Sequence, residues 1–102
     1  MSFFNFFNKT DINRGVEEWK STEHGILLDV RTVEEYRQGH IPGSINIPLD
    51  QISRISTRLP EKDTPLFVHC LSGARSGQAV QIMEQLGYTN VKNIGGINAY
   101  RG

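Results

Sequence analysis

Apolar positions along the chain alternate between two rhythms. Ile26-Leu-Leu-Asp-Val30 and Leu66-Phe-Val-His69 are short, nearly unbroken apolar runs, the pattern of buried strands. Around them the spacing becomes helical. Ile12, Val16 and Trp19 share one helical face, with Asn13 as the expected cap. Thr32-Val-Glu-Glu35 has the form of a capping box, so a short helix is expected through Gln38, stopped by Gly39. Ile41-Pro-Gly43 reads as a turn and Ser44 to Ile47 as a short strand ended by Pro48. Leu49, Ile52, Ile55 and Leu59 return to helical spacing, and Pro60 to Pro65 is a polar loop. Ala79, Ile82, Met83 and Leu86 predict an amphipathic helix that Gly87 stops. Val91 to Ile94 reads as a last strand, Gly95-Gly96 as a turn and Ile97 to Gly102 as a closing stub. Strands alternating with helices predict an α/β fold: a small parallel β-sheet flanked by helices on both faces.

A length of 102 residues fits one domain. The expected division is an aromatic segment over residues 1–9, frayed or packed on the surface, and a domain over 10–102. Eleven basic and eleven acidic residues give zero formal charge, so no global field draws nucleic acid or an anionic membrane. No run approaches the roughly 20 apolar residues of a membrane span. Neither nucleic acid nor membrane is an expected partner, and a monomer is expected. The aromatic start lacks a basic leader and a small-residue cleavage site, so it does not read as a signal peptide. Partner docking or contact with a membrane surface is its alternative use.

One cysteine excludes an internal disulfide and fits a reducing, cytoplasmic setting. His24, His40 and His69 lack metal-ligand spacing, so no metal and no cofactor is expected.

Cys70 carries the candidate chemistry. It ends a strand and precedes a helix, the position where open parallel sheets place their sites. Leu71, Ser72, Gly73, Ala74 and Arg75 follow. Small residues there let successive amides turn inward as an anion cradle, the helix adds its dipole, and Arg75 adds a full charge. All three favour a thiolate. A lone cysteine is more commonly an inert buried residue; this context is what separates Cys70 from that reading. Four residues lie between Cys70 and Arg75. A cysteine-based phosphate cradle, as in tyrosine phosphatases, has five, and the tighter ring suits one extra sulfur better than a phosphate. Asp29 and Arg31 close the first strand nearby, either as an ion-paired brace or, for Arg31, in contact with substrate. His69 points to the opposite face from its neighbour Cys70 and reads as structural. His40 reads as satisfying a turn.

Leu28-Asp-Val-Arg31, Glu35-Tyr36, Gly39-His-Ile-Pro-Gly43 and Ile45-Asn-Ile-Pro48 resemble the first signature of rhodanese domains. His69-Cys-Leu-Ser-Gly-Ala-Arg-Ser76 resembles their active loop, and Gly95-Gly96 with Tyr100 their closing motif. The resemblance spans roughly residues 10 to 102. It implies a rhodanese-like fold and a sulfurtransferase, in which Cys70 takes sulfane sulfur from thiosulfate or a persulfide and hands it to cyanide, a thiol or a thiol-bearing protein. The amides of Leu71 to Arg75 would cradle the donor, and Arg75 would orient it. Leu71 stands where thiosulfate-preferring members often carry a basic residue, which favours a persulfide or protein donor. Tyr100 replaces the usual Trp, and a stop at Gly102 suggests a short last helix. The rival readings are a docking or regulatory module or persulfide relay without turnover, a phosphatase or arsenate reductase, and a bare helix-dipole anion site.

Overall fold

In the computed structural model, which describes residues 10–102, the apolar runs become the strands of one sheet. The aromatic segment 1–9, with the roles expected for it, lies outside the described residues. The elements in chain order are α1 (Ile12–Lys20), β1 (Ile26–Asp29), α2 (Val33–Arg37), β2 (Ile45–Asn46), a 3₁₀ segment (Leu49–Thr57), β3 (Leu66–Cys70), α3 (Ala74–Gln85), β4 (Val91–Gly96) and a closing 3₁₀ turn (Ile97–Ala99).

All strands run parallel, in the order β2-β1-β3-β4. Successive strand side chains point to opposite faces. Leu27, Phe67 and Ile94 meet Ile12 and Val16 of α1 on one face. Leu28, Val68 and Cys70 meet Ile52, Ile55, Ala79 and Met83 of the 3₁₀ segment and α3 on the other. The apolar runs are unbroken because both faces are covered: neighbours Leu27 and Leu28 are both fully buried. Parallel order also brings every strand's carboxyl end to the same edge, where Cys70 stands.

The capping box forms, with the Glu35 amide donating to Thr32 Oγ1 at 3.2 Å and the Thr32 amide donating to Glu35 Oε1 at 3.0 Å. Gly39 and Gly87 follow their helices with φ of 152° and 100°. Three expectations are corrected. The cap of α1 is Asp11, whose carboxylate accepts the Asn13 amide at 3.0 Å. The Asn13 side chain instead donates to the Ala99 carbonyl and accepts the Arg101 amide, tying α1 to the closing turn. The series Leu49, Ile52, Ile55 advances by threes, and the chain winds there as 3₁₀, the helix in which residues three apart eclipse, with a kink at Arg54. Gly95-Gly96 is part of β4 and not a turn. Val68 pairs with Asn93 but His69 pairs with Gly95, so Ile94 is an extra bulged residue. Gly95 supports that bulge at φ 105°, a conformation open mainly to glycine. Among the described residues no helix is long and apolar enough to cross a membrane.

Candidate active site

Cys70 is the last residue of β3 and is 1% exposed. Gly73, at φ 105°, turns the chain into α3 and offers no capping side chain. The first amides of a helix need an acceptor from elsewhere, and the cysteine sulfur supplies it. The Gly73 amide donates to Cys70 Sγ at 3.0 Å and the Ser76 amide at 3.4 Å, with Ser76 Oγ also at 3.4 Å. Burial pushes the Cys70 thiol up; the Ser76 hydroxyl and the amides of Ser76, Gly73 and Ser72 together outweigh it, and the thiol sits below its ordinary value.

Arg75, expected to lend its charge to the thiolate, is bound to α2. Its guanidinium donates to both Glu35 oxygens, at 2.7 and 3.0 Å. Glu35 therefore serves two elements at once: it closes the capping box of α2 and anchors the cysteine loop. The bond from Arg75, followed by the Thr32 amide, lowers the Glu35 carboxyl to about 2. The same bond raises Arg75. A carboxyl depressed on folding stabilises the fold above its unfolded value, and that contribution disappears as pH falls through its folded value. Stability is expected to decline between about pH 4.5 and about pH 2, and Arg75→Ala is expected to flatten that part of the profile. Acid titration of chemical unfolding in the two proteins checks it; identical slopes would contradict the pairing. Arg75 also borders a groove of about 500 Å³ lined by Val30, Val33, Pro48, Leu49 and Asp50.

Asp29 and Arg31 form a brace. The Arg31 guanidinium reaches Asp29 Oδ1 at 3.0 Å and Oδ2 at 2.8 Å, and its amide reaches Oδ1 at 2.9 Å. Nη2 also holds the Gly39 carbonyl at 2.8 Å. This places the fork on the ion pair and the turn after α2. His69 lies beside it, Nε2 3.7 Å from Asp29 Oδ2, fully buried. Burial pushes the imidazole down, against the pull of Asp29, so it is neutral at neutral pH. It packs on the face opposite Cys70, as strand alternation requires. His40 donates from Nδ1 to the Tyr36 carbonyl at 2.8 Å and stacks on the Tyr36 ring.

Beyond Cys70 to Arg75, Ser76, Asn93 and Gly96 also shape the loop. Leu71, 43% exposed, presents its carbonyl to the Asn98 amide at 3.1 Å. Gly96 lies so close that a Cβ there would meet Leu71 O at 2.2 Å. Asn93 donates to the Gly73 carbonyl at 3.1 Å and accepts from the Ser76 hydroxyl at 2.7 Å. Ser76 directly follows Arg75 in the sequence, whereas Asn93 carried no sequence signal, since its partners lie 17 and 20 residues away. Among the described residues no three His, Cys, Asp or Glu side chains gather as a metal site.

Residues 9–102 match the family model of the rhodanese-like domain. Over 78 residues the chain is 46% identical to the thiosulfate sulfurtransferase PspE of Escherichia coli, covering 76% of this chain and 73% of that protein. Over 94 residues it is 37% identical to a sulfurtransferase of Allochromatium vinosum, covering 91% and 87%. Among solved structures it is similar to a rhodanese with anions from E. coli, with a TM-score of 0.70, 42% identity and coverage of 76% and 92%. A human single-domain sulfurtransferase superposes with a TM-score of 0.71, 30% identity and coverage of 86% and 88%.

Proposed function

We propose, since this chain belongs to the rhodanese-like domain family, that Cys70 is the nucleophile through which it moves sulfur. The chain is a sulfurtransferase. The observation that carries the role of Cys70 is its sulfur at the end of β3, receiving the Gly73 and Ser76 amides at 3.0 and 3.4 Å. Those donors are aimed where negative charge resides before and after each transfer.

In the first half, the Cys70 thiolate attacks the sulfane sulfur of thiosulfate. The sulfur–sulfur bond breaks, sulfite leaves with the electron pair, and Cys70 holds a persulfide. In the second half, cyanide or an acceptor thiolate attacks the outer sulfur, and the electron pair of that bond returns to Cys70. Electrons balance between donor and acceptor, so no redox cofactor is needed. The loop from Leu71 to Arg75 cradles the anionic donor through its amides, and Arg75, held by Glu35, offers its remaining N–H groups. Asp29 and Arg31 position the neighbouring strand end and do not touch substrate. Leu71, exposed and uncharged beside Cys70, suits organic persulfides as well as thiosulfate. The partners are a small sulfur donor and an acceptor, the latter including a thiol on another protein; neither nucleic acid nor membrane takes part. The protein acts as a monomer in a reducing compartment such as the cytoplasm, where Cys70 stays free to load.

A covalent carrier predicts ping-pong kinetics. With thiosulfate and cyanide varied together and thiocyanate read out, double-reciprocal lines are expected to be parallel. Intersecting lines would contradict a sulfur-carrying cysteine, and absence of turnover would favour the docking-module reading.

A further inference from the structure

Ser76 has one hydroxyl proton and three acceptors around it. Its Oγ lies 2.7 Å from Asn93 Oδ1, 3.1 Å from the Gly73 carbonyl and 3.4 Å from Cys70 Sγ, with the residue fully buried. The orientation of the Asn93 amide follows from its other bonds. Nδ2 donates to the Gly73 carbonyl at 3.1 Å, and Oδ1 accepts the Gly95 amide at 3.0 Å. The carbonyl end therefore faces Ser76, and its contact is the shortest of the three.

The proton count differs between the two states of Cys70. As a thiol, Cys70 can donate to Ser76 Oγ, which donates onward to Asn93, and every proton has an acceptor. As a thiolate, Sγ has no proton and needs donors. The Ser76 hydroxyl can then turn to sulfur, while Asn93 Oδ1 keeps the Gly95 amide.

We propose that Asn93 is a positioning residue that makes the Ser76 hydroxyl a two-position switch, resting on Asn93 Oδ1 when Cys70 Sγ is uncharged and on Sγ when it carries charge. This rests on the thiolate chemistry of Cys70 proposed above. The uncharged states are the thiol and the inner sulfur of a persulfide. The charged states are the free thiolate and the thiolate departing as an acceptor takes the outer sulfur. The proton stays on the Ser76 oxygen throughout, and only the Cβ–Oγ bond rotates. Asn93 stabilises the uncharged side of the balance, Ser76 the charged side, so their removal shifts thiolate formation in opposite directions. A loop merely loosened by either substitution would instead weaken the amide cradle in both cases.

The other charged or titratable groups around Cys70 are Arg75 of α3 with Glu35 of α2, and Asp29 of β1 with Arg31 and His69. The substitutions leave all of them in place. The test is the pH dependence of iodoacetamide alkylation of Cys70 in the full chain, without any sulfur donor. Asn93→Ala is expected to lower the midpoint and speed alkylation below it roughly two- to tenfold, the worth of one hydrogen bond. Ser76→Ala is expected to raise the midpoint, and adding Asn93→Ala in that background to change nothing. An equal shift in both backgrounds, no shift, or an upward shift with Asn93→Ala would overturn the switch. If Asn93→Ala fails to fold, Asn93→Asp, similar in shape and a stronger acceptor, takes its place. Its midpoint is expected to rise more with Ser76 present than in the Ser76→Ala background, and equal rises would overturn the proposal. Because alkylation needs no donor, a protein that shows the switch but loads no sulfur would contradict only the proposed function.

Discussion

Asp29→Ala is expected to cost about 3–5 kcal/mol, the usual loss when one partner of a buried ion pair is removed. The substitution takes away the acceptor of three Arg31 groups, the amide, Nε and Nη2. Arg31 is 5% exposed and cannot turn to solvent without opening the end of β1. His69 Nε2 would also lose the carboxylate 3.7 Å away that its position implies. A domain of this size has about 5–15 kcal/mol in total, so the loss is about a fifth of its stability at the least and the whole of it at the most. Urea unfolding followed by circular dichroism measures it. A loss under about 1 kcal/mol, the scale of an exposed pair, would contradict the brace.

Gly96→Ala is expected to lower sulfur transfer about a hundredfold, the scale of a displacement near 1 Å at a reacting centre. A Cβ at Gly96 would meet Leu71 O at 2.2 Å and Ser72 Cα at 2.6 Å. Both are backbone atoms, so no side-chain rotation relieves the contact. The end of β4 or the loop after Cys70 must move, and either motion disturbs the amides aimed at the sulfur. The rate constant for thiosulfate-dependent turnover, compared with the melting temperature, separates this from general destabilisation. A variant with an unchanged rate would show that the loop does not depend on its packing against β4.

Much of the fold was legible because the strongest signals are local. The unbroken runs at Ile26 and Leu66 mark strands covered on both faces, and Thr32 to Glu35 reads as a cap from four residues alone. Cys70 was legible from its place between a strand and a helix. What the sequence concealed depends on contacts between distant segments. The Arg75–Glu35 pair joins residues 40 apart in sequence, and Glu35 looked fully used as a cap. Asn93 pairs with Val68 in the sheet and from there reaches Gly73 and Ser76, 20 and 17 residues away in sequence. Gly95 and Gly96 read as a turn because glycine pairs generally are; here one supports the bulge and the other admits the loop. The 3₁₀ segment shows the same limit at shorter range: steps of three and mixed steps of three and four differ by one residue, and the chain winds as 3₁₀ with Ile52 and Ile55 buried.

The central claim is that sulfur travels on Cys70. The most direct measurement is the intact mass of the reduced protein after thiosulfate, for wild type and Cys70→Ala, before and after cyanide. The expected result is a gain of one sulfur atom by the wild type only, removed by cyanide with thiocyanate released. A sulfur adduct that also forms on Cys70→Ala, or a wild type that gains no sulfur while remaining folded, would contradict it.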